Sequence, residues 1–253
     1  MDIAAARSTT YGDLGFWADR TSVHEAASLG RSLQLKQLIE GGGSVNIVTV
    51  DNITPLHDAC MQGHPQCVRM LLDAGAQVDV RTIHGSTPLC HACASGSVES
   101  VRLLLDHGAT VNPSLTALTA SPLHEACIRV SKLKDDMLPL TAKCIFKGAR
   151  VNAIKFHETA LHHAARVGRT ELIELLVEFG GDINVSDNLG RRPIDYTTPG
   201  SSAHLCLQYF ENTPLSLQQL SRIALRTVLG TRALQVVTKL DISRRIIDYL
   251  CYT

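Results

Sequence analysis

The chain has little of what marks a membrane-bound, secreted or nucleic-acid-binding protein. Its 253 residues carry 24 basic and 24 acidic side chains, so no strongly basic face of the kind that binds nucleic acid is expected. No apolar run approaches the roughly 20 residues that cross a bilayer, and residues 1–10 lack the apolar core of a signal peptide. These absences predict an intracellular protein with neither a membrane nor a nucleic acid among its partners.

Aromatic residues are also scarce, with five Phe, five Tyr and one Trp. The core must therefore be built from Ala, Leu, Val and Ile, which suits thin pairs of helices. What the chain does have is a motif of the form Thr-Pro-Leu-His, which returns about every 33 residues. Its copies end at His24, His57, Cys90, His124, His162 and, in a degraded form, Asp195, in steps of 33, 33, 34, 38 and 33. A fixed period of this length predicts a stacked solenoid that presents a binding surface.

Each copy of the motif carries its own helix signals. Thr or Ser before Pro is typical of a helix start, and Gly six residues past the motif is typical of a helix end. Asn52, Gly85 and Gly190 share one turn position, and all tolerate a positive φ. Together these features resemble the ankyrin repeat over residues 21–211. The resemblance implies an all-α solenoid of helix–turn–helix units with hairpin fingers and a concave binding face. Target contacts are expected at the finger positions Thr49, Val50, Arg81, Thr82 and Lys155.

The histidines and cysteines follow the same register, which argues against catalysis, metal binding or a cofactor. The family resemblance gives the motif histidine a structural role, hydrogen-bonded within or between repeats. Cys60, Cys93 and Cys127 hold a position that Ala27 and Ala165 hold in other copies, so free, buried thiols are predicted. The other histidines show no shared spacing and are expected on solvated surfaces. An enzyme is the least favoured reading of the chain.

The 38-residue step contains an anomaly, because residues 128–143 do not match the repeat. One interpretation is a loop insertion between the two helices of a unit, which a surface turn accommodates at low entropic cost. The other is a join between two units across a missing stretch, as alternative splicing could produce. Pro139 excludes the interior of a helix in either case. The weakest packing of the array is expected here.

The period stops near residue 211, and a different helical pattern begins at Thr213. Ser216 and Gln219 form a predicted capping box, followed by an amphipathic apolar stripe. The pattern resembles the elongin-binding box that opens a SOCS box, in which Leu is followed after four residues by a small residue, usually Cys, and after four more by an aliphatic residue. Ser221 takes the place of the Cys here. The resemblance implies elongin contacts at Leu217, Leu220, Ser221, Arg222 and Leu225.

The last residues resemble the cullin box that closes the same module. Ser243 stands where the family usually has Pro. The implied cullin contacts are Leu240, Ile242, Ser243, Ile246, Tyr249 and Leu250. The basic residues of this tail, Arg222 among them, are expected to be largely solvated.

The predicted organisation is therefore a capping segment at 1–20, ankyrin repeats at 21–211 and a three-helix SOCS box at 212–253. This order resembles the ankyrin repeat and SOCS box proteins, and the stretches 12–17 and 87–96 are similar in detail to one member. The resemblance implies a non-catalytic substrate-recognition subunit of an elongin B/C–cullin-5 RING ubiquitin ligase. Two alternatives stay open: a scaffold whose terminal helices only cap the stack, and a variant that binds elongin but has lost its target surface.

Overall fold

A computed structural model describes residues 20–113, 121–128, 144, 148–229, 236–237, 239 and 241–251. The predicted capping segment before Arg20, the irregular residues 129–143 and the predicted cullin contact Leu240 lie outside these residues. The repeats are pairs of short helices. The first helices are α1 Ser22–Ser28, α3 Pro55–Met61, α5 Pro88–Ser95, α7 Pro122–Ile128 and α8 Ala160–Val167, and the second helices are α2 Ser32–Glu40, α4 Pro65–Asp73, α6 Val98–Asp106 and α9 Thr170–Glu178.

The start of each first helix is fixed by the repeated motif. At α3, the Thr54 hydroxyl accepts a hydrogen bond from the His57 backbone N–H at 3.3 Å, and the Thr54 N–H donates to His57 Nδ1 at 3.1 Å. Because Nδ1 accepts, the proton of the neutral ring is on Nε2. Gly96 ends α5 with φ of 78°, as the motif spacing predicts.

The motif histidine also joins each repeat to the next. Its Nε2 reaches a backbone carbonyl in the following finger, from His24 to Ile53 at 3.1 Å, His57 to Ser86 at 3.4 Å, His124 to Glu158 at 3.3 Å, and His162 to Arg191 at 3.3 Å. The structural role expected of these histidines is confirmed. The solvated position expected for the others is wrong for His64, His91 and His163, which are half-buried against the neighbouring repeat.

A second link between repeats is made by three asparagines, Asn46, Asn112 and Asn152. The side-chain amide of each donates to the carbonyl of the next helix-ending glycine and accepts from a backbone N–H two residues further on. Two ordinary links run from Asn46 to Gly75 and from Asn152 to Gly180, 29 and 28 residues apart. Asn112 makes the same link to Gly148, 36 residues away, at 2.8 Å. The stack thus keeps its register across the irregular interval.

The cysteines pack as small core residues. Cys60, Cys93 and Cys127 are fully buried, and the described cysteines form no disulfide. Burial raises the pKa of the Cys60 thiol far above its ordinary value, so this thiol is unreactive. Within the described ranges, no group of His, Cys, Asp or Glu side chains is arranged to hold a metal ion.

The carboxy-terminal part leaves the repeat pattern. A small antiparallel hairpin, β1 Ile154–Lys155 and β2 Glu158–Thr159, forms one finger. The degraded motif folds as a 3-10 turn, Pro193–Tyr196, and the helix α10, Ser202–Asn212, buries Ala203 and Leu207 against the stack. Two helices follow, α11 Leu217–Leu229 and α12 Arg244–Cys251. Over the residues described, none of the helices has both the length and the apolar character to traverse a bilayer.

Candidate protein-binding site

Helix α11 begins at the predicted capping box. The Ser216 backbone N–H donates to Gln219 Oε1 at 2.8 Å, and the Gln219 N–H donates to the Ser216 hydroxyl at 3.3 Å. This reciprocal pair satisfies two backbone donors that a helix start leaves open. The box therefore fixes Leu217 as the first residue of the helix and sets the direction of every side chain after it.

One side of α11 is apolar and open to solvent. Leu217 is 82% exposed and Val228 is 80% exposed, with Leu220, Ser221 and Ala224 exposed between them. These five residues, the outer face of α11, follow the spacing of a single helix side. Contiguous apolar surface of this kind marks a protein-interaction site. Val228 was not among the sequence predictions, although its place seven residues after Ser221 puts it on the same side.

Ser221 lies at the centre of the outer face. Its hydroxyl donates to the Leu217 carbonyl at 2.7 Å, one helical turn back. The Ser221 hydroxyl therefore keeps a hydrogen bond within the helix, which lowers the free-energy cost of burying this group under a partner. A small side chain between Leu217 and Val228 also leaves space for a partner's side chain.

Arg222 lies on the opposite side of α11 and is only 2% exposed. Its Nη1 is 3.4 Å from Glu178 Oε1, and its Cζ is 3.9 Å from the centre of the Tyr249 ring. The expected solvated position is wrong, because the guanidinium packs beneath α12 and the end of α9. The structure also removes Arg222 from the elongin contacts that the resemblance implied, since it offers no surface to a partner.

The remaining predicted contacts lie at different depths. Leu225 is half-buried at the edge of the outer face, and Ile242, Ser243 and Ile246 are exposed. Tyr249 and Leu250 are half-buried. The Ser243 carbonyl accepts from the backbone N–H groups of Ile246 and Ile247, so Ser243 occupies the start of α12. A residue at a helix start does not need to be Pro, which explains how Ser is accommodated there.

The predicted target contacts fall into two groups: side chains exposed at the end of a finger, and side chains that stabilise the turn of a finger. Val50 is an exposed tip, and the structure adds Ile83, Phe156 and Leu189, which the sequence reasoning missed, as exposed apolar side chains on other fingers. Thr49 is corrected: it is 7% exposed, and its hydroxyl accepts from the Ile53 N–H at 3.1 Å, which holds the turn.

Three further predicted target contacts are half-buried. Thr82 makes the same turn-bracing hydrogen bond to Ser86, at 3.2 Å. The carbonyl of Arg81 accepts from the Asn52 side chain of the preceding finger. The ammonium of Lys155 lies 5.3 Å from the centre of the Phe156 ring.

A charged network stiffens the last fingers. The Tyr196 hydroxyl lies within hydrogen-bond distance of two carboxylates, Glu158 at 3.0 Å and Asp187 at 2.5 Å. The guanidinium groups of Arg166 and Arg191 lie 4.5 and 4.6 Å from the centre of its ring. Burial alone would raise the pKa of Glu158, but hydrogen bonds from Arg166 and Tyr196 hold it below its usual range. Burial and the two carboxylates raise the pKa of Tyr196 to about 12. The two arginines and the two carboxylates of this network balance in charge. The network therefore stabilises the fingers and does not form a charged surface patch.

Comparison with known families agrees with both parts of the molecule. The family model for ankyrin repeats in three copies matches residues 23–115 and 74–138, and that for a single ankyrin repeat matches 156–188. The SOCS box model matches residues 213–251, which include both α11 and α12. Ankyrin repeat and SOCS box protein 13 of Homo sapiens is 53% identical over 277 aligned positions, covering 100% of both chains. The chain belongs to the ankyrin repeat and SOCS box protein family.

Other members of the family show the same relation. Ankyrin repeat and SOCS box protein 5 of Oryctolagus cuniculus is 48% identical, covering 94% of this chain and 80% of that protein. The crystal structure of the human ASB11 ankyrin repeat domain is 34% identical and covers 78% of this chain and 100% of that one, with a TM-score of 0.50. The predicted all-α ankyrin solenoid followed by a SOCS box is confirmed. Membership of the family implies a substrate-recognition adaptor of a ubiquitin ligase.

The alignment length also bears on the irregular interval. Protein 13 aligns over 277 positions, whereas this chain has 253 residues, so at least 24 aligned positions have no residue here. If those positions fall between His124 and His162, the relative's interval is about 62 residues, close to two ordinary repeats.

Proposed function

We propose that this chain is the substrate-recognition subunit of an elongin B/C–cullin-5 RING ubiquitin ligase inside the cell. The observation that carries the proposal is the outer face of α11. A helix that leaves Leu217 and Val228 almost fully exposed, while burying an arginine on its other side, has its apolar surface directed at a partner. The SOCS box match over residues 213–251, which include this helix, supports the proposal.

The size of the outer face is adequate for a hot spot. Complete burial of one Leu or Val side chain contributes about 1.5–3 kcal/mol. Leu217, Leu220 and Val228 lie on one side of a single helix, so little conformational freedom is lost when a partner covers them. Ser221 adds a small, internally hydrogen-bonded position between them. We propose these residues, with Leu225 at the edge, as the elongin contacts.

The cullin contacts are proposed on α12 and the residues just before it. Ile242, just before α12, and Ile246, in its first turn, are exposed apolar side chains, and Ser243 lies between them in the chain. Leu240, Tyr249 and Leu250 complete the set implied by the family pattern. The exposed Arg244 and Arg245 add positive charge beside this surface, which suits an acidic partner.

The target is proposed to bind the ankyrin fingers, and the chain's own contribution is positional. Its exposed tips are Val50, Ile83, Phe156 and Leu189. Holding a target there raises the effective concentration of the target's lysines near the ubiquitin-loaded E2. The bond-forming chemistry belongs to the recruited subunits. We further propose that the irregular interval is a join across a missing stretch, so that this chain's target surface differs from that of its longer relatives.

The proposal is tested by co-expression with elongin B and elongin C. Leu217→Ala is compared with Leu33→Ala, because Leu33 is also exposed, at 71%, but lies on α2 in the repeats. The parent chain and Leu33→Ala should co-purify with elongin B/C, and Leu217→Ala should lose most of it. Equal recovery of elongin with both variants would instead favour the scaffold, in which α11 and α12 only cap the stack.

A further inference from the structure

Three segments meet behind the outer face of α11. They are the end of α9 with Glu178 and Phe179, the inner side of α11 with Arg222 and Arg226, and Tyr249 of α12. The Cζ atoms of Arg222 and Arg226 lie 5.4 and 4.7 Å from the centre of the Phe179 ring. Gly180 is in such close contact with α11 that an added Cβ would lie 3.1 Å from a methyl group of Ile223. The last repeat and the SOCS-box helices therefore form one packed junction.

Arg222 is the residue that all three segments share. A buried guanidinium is costly unless its charge is compensated. Here Glu178 supplies the opposite charge at 3.4 Å, and the rings of Tyr249 and Phe179 supply cation–π contacts. A planar guanidinium can make these contacts together, whereas the ammonium of a lysine cannot stack. The Arg222 side chain therefore contacts all three segments at once.

We infer that Arg222 is a positioning residue that fixes the orientation of the ankyrin array relative to the SOCS-box helices. The biological role of Arg222 in this inference rests on the proposed function, whereas the packing of the junction does not depend on it. Arg222 and the outer face occupy opposite sides of the same helix. A partner bound to the outer face is thus connected to the last repeat through a rigid element with a single packed register.

The consequence concerns the transfer of ubiquitin to a bound target. If the array pivoted freely on the SOCS box, a target lysine would sample many distances from the E2, and its effective concentration there would fall. A fixed junction restricts those distances. Arg222 would therefore influence which lysines are modified without touching the target, elongin or the E2.

The inference is tested by measuring distances in the full chain. Spin labels are attached to unnatural amino acids that replace Val50 on a finger and Gln218 on α11, both of which are exposed. The parent chain should give a single narrow distance distribution by pulsed electron paramagnetic resonance. Arg222→Ala should broaden or shift that distribution. Arg244→Ala is the matched control, because Arg244 is an exposed arginine on α12, and it should leave the distribution unchanged.

Two further variants guard against simple loss of folding. Arg222→Lys retains a charge for Glu178 but removes the planar stack, and Tyr249→Leu removes the ring while leaving Arg222 in place. Both should broaden the distribution, Arg222→Lys less than Arg222→Ala, with the helical circular dichroism of the repeats unchanged. A narrow, unshifted distribution in Arg222→Lys and Tyr249→Leu would overturn the inference.

Elongin binding is measured on the same samples so that the two proposals can fail separately. The affinity of Arg222→Lys for elongin B/C should stay within about threefold of the parent, as expected for a substitution off the contact face. A large loss of affinity in this variant would contradict the separation of the two sides of α11. If the parent itself failed to bind elongin B/C, the proposed function would be wrong, while the distance measurements would still decide the role of Arg222.

Discussion

The repeats bury the apolar side of their helices, whereas the SOCS-box helix α11 leaves an apolar side exposed to solvent. In the repeats, Leu71, Leu104 and Leu176 occupy one register of the second helices and are fully buried. In α11, Leu217 and Val228 are almost fully exposed. A periodic chain supplies a complementary face with every new copy, so the stack completes itself. A helix outside the period receives no such neighbour from a further repeat, and its outer face stays open to solvent.

The largest expected effect is a contrast between two leucine truncations. Leu71→Ala leaves a cavity in the stack and should lower the free energy of unfolding by about 2–5 kcal/mol. Leu217→Ala removes a side chain that contacts mostly water, and it should change that free energy by less than about 0.5 kcal/mol. Urea titrations of both variants at one pH provide the measurement. Similar losses in the two would show that α11 is packed as the repeats are.

The second prediction concerns acid. Burial, and then the nearby His91, lower the pKa of His57 to about 3, so the folded state holds this ring neutral. The unfolded chain protonates His57 near pH 6.5. Its contribution to stability is therefore complete above about pH 6.5 and is lost progressively as the pH falls towards 3, at up to about 1.4 kcal/mol per pH unit. His57→Gln should flatten the fall in unfolding free energy between pH 6.5 and 4.5.

The test compares the slope of unfolding free energy against pH in the parent and in His57→Gln. Slopes are used because the neighbouring Asp58 changes the stability in the opposite direction as the pH falls. Burial raises the pKa of Asp58 to about 7, although the positive charge of Arg20 lowers it. The Asp58 carboxylate therefore binds a proton more readily in the folded state than in the unfolded chain. Asp58 is present in both proteins, and its contribution cancels in the difference of slopes. His107→Gln, at the exposed end of a second helix, controls for the removal of an imidazole. An identical slope in the parent and His57→Gln would refute the burial argument.

The third prediction compares the irregular interval with an ordinary one. Asn112→Ala and Asn152→Ala each remove a side chain that makes two hydrogen bonds to the next repeat. Each should lower the free energy of unfolding by about 1–2 kcal/mol. Equal losses would show that the link across residues 113–147 has the strength of a regular one. A much smaller loss for Asn112→Ala would locate a weak joint in the stack.

The sequence predicts those features that the period itself determines. The helix starts at the Thr-Pro-Leu-His motif and the glycine helix ends follow from one register. The family resemblance adds the structural role of His24, His57, His124 and His162. These features arise from interactions within one repeat or between adjacent repeats, so the repeated sequence pattern is enough to predict them. The capping box at Ser216 was predictable for the same reason, since it involves residues three apart.

Tertiary contacts between dissimilar segments escaped this reasoning. A charged residue such as Arg222 was expected in solvent, because nothing near it in the chain reveals Glu178 and Tyr249 as its partners. Thr49 was expected at a finger tip, although its hydroxyl closes the turn and the adjacent Val50 forms the tip. Val228 is not a position of the family pattern, and it is helical spacing that assigns it to the outer face of α11.

The smallest expected effect lies at Ser221. Ser221→Cys replaces a hydroxyl by a more apolar thiol at the centre of the outer face. Because the hydroxyl is already bonded to the Leu217 carbonyl, the gain should be less than about 1 kcal/mol, or at most about fivefold in elongin affinity. Ser221→Ala is the control, since it removes the hydroxyl without adding sulfur. Weaker binding by Ser221→Cys would show that the hydroxyl contacts the partner directly.

We propose that elongin covers the outer face of α11. The decisive experiment is an isothermal titration of the purified chain with elongin B/C, using Val228→Asp, a position identified by the structure. A carboxylate forced into an apolar contact should cost at least about 3 kcal/mol, which is a loss of more than a hundredfold in affinity, while Val50→Asp on a finger should bind as the parent does. Undiminished binding by Val228→Asp would contradict the claim.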